Sequence, residues 1–581
     1  MTWHALAWLA LLAGCLAVLA KPLGTYLARV YEGKRLGALD RILGPVERAT
    51  YRLCGINPQA EMVWSSYAWA LLIFSGFGIL ALFLIQRLQG HLPLNPLGTP
   101  GVAPDLAFNT AISFSTNTNW QSYGGETTMS HLTQMSGLGV QNFVSAASGM
   151  AVLAALVRGL ARREARTIGN FWVDLVRGTL YVLLPLALIL AVALASQGVV
   201  QSLGPGTVAA LVEPVAGPNG TTVTTQTLVV GPVASQVAIK QLGTNGGGFF
   251  NANSSHPFEN PTTASNFLQT LAILLLPVAL CYAFGRMVGQ TRQGWALLAV
   301  MILLFLPAFL FTLTYEQRGN PAFTGLGVDQ AATSLQPGGN MEGKETRFGI
   351  ASSALWASAT TATSSGSVNC MHDSLTPLGG LGPMWLMLVG EVVFGGVGSG
   401  LYGMVVFAII AVFIAGLMVG RTPEYLGKKI GTFEIKMASL VILIPPSLVL
   451  LGTAAAVATR SGLSAVSNPG PHGFSEVLYS FASASNNNGS AFAGLASDSG
   501  FYNLALGLCM FFGRYWLMIP ALAIAGSLAQ KRPVPEGPGT LATHTPLFVV
   551  FLACVVVVVG ALTFLPALAL GPIVEHLMMV R

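Results

Sequence analysis

The chain has 581 residues, of which 53% are hydrophobic and only 9% are charged, and its formal net charge is +6. A soluble domain usually carries about 25% charged residues, so this composition excludes an ordinary soluble protein and predicts an all-α protein that crosses a membrane many times. The small positive charge requires no nucleic-acid partner, because most of the basic residues fall in short loops between apolar segments.

Ten apolar segments are long enough to cross a bilayer, which takes roughly 20 residues. In chain order they are 3–20, 62–86, 137–157, 172–196, 264–285, 294–315, 382–419, 437–458, 502–527 and 545–567. Segment 382–419 is nearly twice the required length and contains Gly395-Gly396-Val397-Gly398-Ser399-Gly400. We therefore expect a broken helix there, and broken helices at membrane depth usually line a cavity.

The distribution of basic residues predicts the orientation of the chain. If residue 1 lies outside, the inside loops are 21–61, 158–171, 286–293, 420–436 and 528–544. These loops contain 7, 4, 2, 4 and 2 Lys plus Arg, which is 19 of the 28 in the chain. The positive-inside rule therefore predicts that both termini are extracytoplasmic.

Four short polar stretches lie on the predicted outer side, each between two spans. They read Thr116-Asn117-Thr118-Asn119-Trp120, Thr244-Asn245-Gly246-Gly247-Gly248, Ser364-Ser365-Gly366-Ser367-Val368 and Asn487-Asn488-Gly489-Ser490-Ala491. We place Thr118, Gly246, Gly366 and Gly489 in register, at spacings of 128, 120 and 123 residues. Such small residues present mostly backbone, and carbonyl groups turned inward from four sides would replace the water around a monovalent cation.

Each stretch follows a short amphipathic run that is too short to cross a membrane, at 105–115, 233–243, 347–361 and 474–484. A single such loop would be read as a tight turn between helices, whereas four in register favour an ion-binding filter. The candidate filter residues are Thr116, Asn117, Thr118, Thr244, Asn245, Gly246, Ser364, Ser365, Gly366, Asn487, Asn488 and Gly489. Helix C-termini aimed at this filter would favour a cation.

The order of spans, short helices and loops predicts four pseudo-symmetric membrane–pore–membrane repeats around one selectivity filter. Residues 1–61 form a first flanking helix and a cytoplasmic loop, and 545–581 form a last flanking helix. The repeats are 62–171, 172–293, 294–436 and 437–544. Repeats around one axis place the binding site at that axis. The long outer segments 197–232 and 316–346 are interpreted as tolerated insertions.

Several charged residues are further candidates. Glu126, Glu259, Asp373 and Asp498 follow the four loops, and they either form a negative vestibule that concentrates cations or are ordinary solvated charges. Glu391 and Arg514 lie inside spans and must face protein or water, which predicts pairing, a shared ion pathway or a structural salt bridge. Arg421 ends the long broken segment, where reaching to the membrane interface is its default role.

The four loops also resemble a known family. Ser115-Thr116-Asn117-Thr118-Asn119-Trp120-Gln121, Gly243-Thr244-Asn245-Gly246-Gly247-Gly248-Phe249-Phe250, Ser364-Ser365-Gly366-Ser367-Val368-Asn369 and Asn486-Asn487-Asn488-Gly489-Ser490-Ala491-Phe492 are similar to the potassium-binding A subunits of bacterial Kdp-type potassium-transporting P-type ATPases. The resemblance covers essentially the whole chain. It implies the fold of the superfamily of potassium transporters, with K⁺ as the transported ligand and no cofactor in this chain.

The resemblance further implies a complex in the bacterial cytoplasmic (inner) membrane. Its partners would be an ATP-hydrolysing B subunit, which would hold ATP and Mg²⁺, a C subunit and a small F subunit. The chain itself would be non-catalytic, which agrees with the lack of a phosphate-binding loop and of an Asp-Lys-Thr-Gly motif in its sequence. Glu391, Arg421 and Arg514 match charged positions near an inner gate, and potassium would leave sideways toward the ATPase subunit.

Two other classes stay open at this point. A stand-alone potassium or sodium–potassium symporter or channel of the same superfamily would share the four-loop plan, and a membrane scaffold would bind no ion. If the four stretches form an ion filter, we expect Gly246→Asp to lower potassium affinity, and Gly366→Ala and Gly489→Ala to lower it less than Gly246→Asp does.

Overall fold

The chain folds almost entirely into helices. The computed structural model describes residues 3–217, 220–333, 336, 338–535 and 540–580. The first ten helices are α1 (Trp3–Tyr31), α2 (Ala38–Leu53), α3 (Trp64–Leu88), α4 (Pro104–Ser115), α5 (Gly125–Thr128), α6 (Val140–Ala161), α7 (Phe171–Arg177), α8 (Leu184–Ser196), α9 (Val233–Leu242) and α10 (Thr263–Met287). The others are α11 (Thr291–Gln317), α12 (Gly349–Ala362), α13 (Pro377–Leu388), α14 (Ser399–Val419), α15 (Thr432–Ala458), α16 (Arg460–Leu463), α17 (Pro471–Ser485), α18 (Gly500–Gln530), α19 (Pro546–Leu568) and α20 (Val574–Met579).

Within the described residues, ten helical stretches are long and apolar enough to cross a membrane. They are Leu6–Tyr31, Trp64–His91, Thr133–Ala161, Phe171–Ser196, Thr263–Met287, Thr291–Leu326, Ser399–Val419, Thr432–Ala458, Gly500–Gln530 and Pro546–Met579. Each overlaps one segment expected from the sequence, so the prediction of a multi-pass, all-α membrane protein with ten spans is confirmed. Stretches of π-helical turn continue three of these spans, at Thr133–Gly139, Gly178–Leu183 and Ala569–Ile573.

The long glycine-rich segment is broken, as its composition predicts. Helix α13 ends at Leu388 and helix α14 begins at Ser399. Between them, Gly395 and Gly398 have φ angles of 64° and 89°, which no right-handed helix accepts. Glu391 and Phe394 also have positive φ angles, 49° and 64°, although their side chains disfavour this conformation. Strained backbone of this kind is retained where the surrounding structure or the function requires it.

Four short helices are inserted between pairs of spanning helices. Helix α4 packs against α3 and α18, α9 against α8 and α10, α12 against α11 and α13, and α17 against α15 and α18. Their bounds agree within three residues with the short runs expected from the sequence. Nearly every residue after the first turn of each helix is buried. Their Ala, Ser and Thr residues are small, and this lets the neighbouring backbones approach closely.

The two ends of the helix bundle differ in character. We call the end that carries the loops after the four short helices (116–132, 243–262, 363–376 and 486–499) the filter face, and the other end the opposite face. On the opposite face, ion pairs join separate loops: Arg162 with Glu61 at 2.6 Å and Lys531 with Glu434 at 2.7 Å. The sequence boundaries of the four repeats and the two flanking segments stay a prediction.

Strands are few. An antiparallel hairpin of β1 (Thr207–Ala216) and β2 (Thr222–Leu228) lies within the insertion 197–232. A two-residue pair, β3 (Glu424–Tyr425) with β4 (Lys428–Lys429), follows α14. We expected no hairpin from the sequence, although the β-branched residues of Thr222–Leu228, four Thr and one Val, are typical of a strand.

A candidate cation site where four short helices end

The four short helices end in the same way. In each, the residue after the C-cap has a left-handed conformation, with φ angles of 67° at Asn117, 47° at Thr244, 56° at Ser364 and 58° at Asn487. The next N–H donates to the carbonyl five residues earlier: Thr118 to Ser113 (3.0 Å), Asn245 to Lys240 (2.7 Å), Ser365 to Thr360 (3.0 Å) and Asn488 to Ser483 (2.8 Å). This is the Schellman pattern of helix termination. The four polar stretches are therefore structural equivalents.

These helix ends correct the register that the sequence suggested. Thr118 is equivalent to Asn245, Ser365 and Asn488, because all four donate the same hydrogen bond. Asn119, with a φ angle of 55°, takes the place that Gly246, Gly366 and Gly489 occupy in the other three stretches. The predicted alignment of Thr118 with the glycines was wrong by one residue. It matched residue types, whereas the position of the helix end determines the equivalence.

Carbonyl oxygens from the four stretches meet at one point. A Cβ placed on Gly246 would lie 2.7 Å from the Thr118 oxygen, 3.0 Å from the Ser365 oxygen and 3.3 Å from the Asn488 oxygen. The fourth equivalent carbonyl, that of Asn245, belongs to the peptide bond that Gly246 itself completes. Four carbonyl dipoles converging in a buried place repel one another unless a cation lies between them. Rings of backbone carbonyls that replace a hydration shell are how potassium-selective filters work.

Side-chain hydrogen bonds link each stretch to the next in a closed ring. Asn117 Nδ2 donates to the Thr244 carbonyl (3.0 Å), Ser365 Oγ to the Asn245 carbonyl (3.2 Å), Ser364 Oγ to the Asn487 carbonyl (2.8 Å), and Asn487 Nδ2 to Thr118 Oγ1 (2.9 Å). All of these residues are buried. Thr116 lies in the cap of α4, where its hydroxyl donates to the Ile112 carbonyl at 2.9 Å. The polar side chains therefore brace the four stretches against one another.

Glycine is required at two positions of the ring. Gly366 and Gly489 have φ angles of 74° and 106°, and a Cβ on either would collide with a carbonyl oxygen of the neighbouring stretch, Asn488 or Thr118 respectively. Gly246 has no positive φ angle. That alanine acts more mildly here than Gly246→Asp stays a prediction, but the structure shows that even a methyl group clashes at both positions. Sequence alone could not show which glycines have left-handed backbone.

The four acidic residues proposed as a vestibule do not form one. The cavity at the mouth of the ring is lined by Asn119, Gln121, Gly247, Asn251–Asn253, Ser255, Gly343–Glu345, Gly366, Val368, Cys370–His372, Gly489–Ala491 and Ala493, and its carboxylate is Glu345. Glu126 accepts a hydrogen bond from the Asn251 N–H (2.9 Å), and exposed Asp498 accepts one from Asn503 (3.0 Å). Asp373 is partly buried and faces His472. The loops after the ring fold back, so distance along the chain did not predict which acids reach the mouth.

Glu259 is instead part of a buried ion pair behind the second stretch. Its side chain is 0% exposed and lies 2.5 Å from Lys240 Nζ, which is 1% exposed. Lys240 also donates to the Gly247 carbonyl (3.1 Å), and the other Glu259 oxygen accepts from the Phe250 N–H (2.9 Å). Burial lowers the pKa of Lys240, and pairing with Glu259 opposes that shift. The pair fixes the backbone that immediately follows Gly246.

The broken segment lies directly against the inner side of the ring. The Val397 N–H donates to Thr244 Oγ1 (2.9 Å), and the Gly395 N–H donates to the Ala362 carbonyl at the end of α12 (2.8 Å). A cavity beside this segment is lined by Ser364 and Asn487 from the ring, and it continues between α15 and α19 to Pro446 and Thr563. The connection from the ring to the bundle interior thus passes the broken helix.

Glu391 and Arg514 line this same cavity, and each is 3% exposed. No ion pair within 4.0 Å joins them among the described residues, so the direct salt bridge considered from the sequence is wrong. In the described part of the chain, no group meets hydrogen-bond geometry with the Glu391 carboxylate, although the Ser364 and Asn488 side chains of the ring lie close enough to favour its charged form. Arg514 Nη2 donates to the Ser145 carbonyl (3.4 Å).

Arg421 lies apart from this pair. It is exposed beyond the end of α14 and lines another cavity, together with Glu424 and Pro535, on the opposite face. Sequence reasoning also missed two residues that support the ring. Asn119 donates through Nδ2 to Asn142 Oδ1, and Ser145 Oγ donates to Asn117 Oδ1 (2.8 Å). The available signal for Asn119 was its residue type, since asparagine is enriched in the left-handed conformation.

Comparison with known proteins agrees with this geometry. The sequence profile described as potassium-transporting ATPase A subunit matches residues 10–577. Proteins named potassium-transporting ATPase potassium-binding subunit are similar: that of Sorangium cellulosum is 65% identical, over 98% of this chain and 98% of its own. That of Methylococcus capsulatus is 65% identical, over 98% and 97%. Among solved structures, the potassium transporter TrkH from Vibrio parahaemolyticus has a similar fold, with a TM-score of 0.51 and 14% identity over 86% of this chain and 97% of its own.

Proposed function

The chain belongs to the family of potassium-transporting ATPase A subunits, and on this premise we propose that it is the potassium-binding subunit of an ATP-driven potassium uptake complex. Its task is to take K⁺ from the filter face and pass it inward. The observation that carries this proposal is the meeting of the Thr118, Ser365 and Asn488 carbonyl oxygens beside Gly246. Because the ring is braced by its own hydrogen bonds, it holds these oxygens at a spacing suited to a dehydrated ion.

The four helix C-termini add to the attraction for a cation. Each of α4, α9, α12 and α17 ends at the ring, and a helix C-terminus carries roughly half a negative elementary charge. Carbonyl dipoles and helix ends supply this field without any carboxylate in the ring. We infer that K⁺ is bound there by backbone, and that the side chains of the twelve candidate filter residues serve mainly as braces.

Below the ring, we propose a sideways route for the ion. The broken segment 389–398 blocks the direct path, and the neighbouring cavity leads between α15 and α19. Glu391 attracts the ion into this cavity and Arg514 limits how far it travels along the axis. Arg421 lies too far away to share this role, and we assign it to the membrane interface.

The chain binds the ion but supplies no energy. Relatives named as the potassium-binding subunit of an ATPase imply further subunits, and we propose an ATP-hydrolysing partner that holds ATP and Mg²⁺, together with a C subunit and a small F subunit. The bacterial relatives support a place in the bacterial inner membrane, and the distribution of basic residues supports an orientation with the filter face and both termini outside.

The test is co-purification followed by reconstitution. The chain, isolated gently from its native membrane, should carry an ATPase with it. Vesicles that contain the complete complex should accumulate K⁺ only with ATP, whereas vesicles with this chain alone should not. ATP-dependent accumulation by the isolated chain, or ATP-independent accumulation without any partner, would contradict the proposed role.

A further inference from the structure

A cluster of three carboxylates and one imidazole lies beside the ring on the filter face, outside the proposed path of potassium. His472 and Glu476 are one turn apart in the first turns of α17, so they share a face of that helix. Asp373 comes from the turn His372–Ser374 that follows the third stretch of the ring. Glu575 comes from the C-terminal helix α20. Three distant parts of the chain therefore meet at this point.

The spacing of these groups suits one bound ion. The ligand atoms of Asp373, His472 and Glu476 all lie within 4.8 Å of one another. His472 Nε2 is 3.2 Å from Asp373 Oδ1, and His472 Nδ1 is 2.7 Å from Glu575 Oε1. Ligand bonds to zinc are about 2.0–2.2 Å, so two ligands of one ion are at most about 4.4 Å apart. Small side-chain movements would close these three groups around an ion.

One ligand is buried without a partner for its second oxygen. Glu476 is 0% exposed, and its Oε1 accepts a hydrogen bond from Asn468 Nδ2 (2.7 Å). In the described part of the chain, no group meets hydrogen-bond geometry with Glu476 Oε2, although the Ser467 N–H lies close enough to the carboxylate to favour its charged form. A buried carboxylate oxygen left unpaired is costly. This oxygen is independent evidence that a further group belongs in the cluster.

The charge balance points the same way. Among the described residues, no Lys or Arg nitrogen lies within 4.0 Å of Asp373, Glu476 or Glu575, and His472 is their one basic neighbour at that distance. Three carboxyl groups and one imidazole therefore share a largely buried place without a Lys or Arg partner. A divalent cation would balance the charge of these carboxyl groups.

The donor atoms select the class of ion. Magnesium and calcium prefer oxygen ligands alone, whereas an imidazole combined with carboxylates is typical of zinc and related transition metals. Glu575 on Nδ1 would hold the imidazole so that Nε2 faces the ion, as carboxylates commonly do for metal-bound histidines. We propose that Asp373, His472 and Glu476 bind one divalent ion of the zinc class, with Glu575 as the positioning residue.

The bound ion would lock the filter face. It would join the turn after the third stretch to the start of the fourth short helix, and both to the C-terminal helix. Potassium would not pass through this site. Without the ion, the imidazole bridges the carboxylates of Asp373 and Glu575 through its two ring nitrogens. Zinc would take the place of the contact between Nε2 and Asp373, because a metal-bound histidine is neutral.

The experiment is a zinc titration of the purified full chain, without a histidine tag, at pH 8 after treatment with a chelator. Zinc is competed against a coloured zinc chelator, and thermal unfolding is measured in the same samples. We expect one zinc per chain and a higher unfolding temperature. Magnesium at the same concentration should give none of these effects.

Variants assign the site. Glu476→Gln and Asp373→Asn should each weaken zinc binding at least about tenfold, and Glu575→Gln about 10–100-fold. Glu213→Gln, on the exposed strand β1, is the matched control and should bind as the unchanged chain does. If Glu476→Gln or Asp373→Asn fails to fold, the remaining ligand variant and Glu575→Gln test the site. No zinc uptake by the unchanged chain, or unchanged affinity in the folded ligand variants, would show that the cluster is a proton-bridged ion pair only.

Discussion

Alanine at any of the three ring glycines should lower potassium affinity, because each new methyl group collides with a carbonyl oxygen of the ring. At Gly246, the new methyl group would lie 2.7 Å from the Thr118 oxygen, where ordinary contacts begin at 3.4 Å. That oxygen must therefore retreat by about 0.7 Å (3.4 − 2.7). At Gly366 and Gly489 the methyl group comes still closer to a carbonyl oxygen, and the φ angles of 74° and 106° disfavour any side chain.

The magnitude follows from these two effects. A left-handed conformation costs an L-residue roughly 1–2 kcal/mol. If the ring relaxes to relieve that strain, its carbonyl oxygens are no longer held in place for the ion. A loss of about 1–2 kcal/mol of binding free energy corresponds to a factor of about 5–30 in potassium affinity. We therefore expect the K⁺ concentration for half-maximal uptake to rise at least about tenfold in Gly489→Ala and Gly366→Ala. Gly246→Ala lacks the φ penalty, but its methyl group would lie where the carbonyl oxygens meet, so we expect a rise of at least similar size.

The assay is potassium uptake by cells that depend on the complex, with the amount of inserted protein measured for each variant. Gly76→Ala is the matched control, because this position in α3 has an ordinary φ angle and open space around it. Gly285 would be unsuitable, since a Cβ there lies 3.0 Å from the backbone of Gly294. Affinities like that of Gly76→Ala in all three ring variants would refute the reasoning.

Three further predictions follow from the buried charges and the proposed orientation. Lys240→Met should lower the free energy of unfolding by about 3–5 kcal/mol, because it leaves Glu259 buried and unpaired. Adding Glu259→Gln should restore part of this loss, and equal stability of the single and the double variant would argue against the ion pair. Arg514→Gln and Glu391→Gln should each slow potassium transport at normal protein levels. Because Arg514 and Glu391 line one cavity, the effects of the two substitutions should be non-additive in the double variant. Additive effects would show that the two residues act separately. The labelling experiment uses a background that lacks the exposed Cys54 and Cys554. In it, Val212→Cys should react with an impermeant thiol reagent from outside and Arg163→Cys only from inside. The reverse pattern would overturn the proposed orientation.

Much of the fold could be predicted from the sequence, because a membrane-spanning helix must be a long apolar run. The break in the seventh segment was predictable as well, since a cluster of glycines around Val397 offers little resistance to bending. The four short helices were recognisable because each is too short to span and directly precedes a polar stretch. The β1–β2 hairpin was missed, because exposed strands on the surface carry no core pattern.

The site was predictable in its residues but less so in its geometry. Composition indicated that backbone would line the ring, and the carbonyls of Thr118, Ser365 and Asn488 do converge. The predicted alignment of the four stretches was wrong at the first one, because Asn119, with its left-handed backbone, takes the place of a glycine there. The vestibule failed because Glu259 folds inward to meet Lys240, a contact between residues that no local pattern connects.

The most direct test of the central claim is equilibrium binding of potassium to the purified chain, without any other subunit. The account predicts saturable K⁺ binding that sodium displaces poorly. That binding should be weakened at least about tenfold in Gly489→Ala and should be unchanged in Gly76→Ala. Absence of saturable binding, or equal binding by Gly489→Ala and the unchanged chain, would contradict the assignment of the ring as the potassium site.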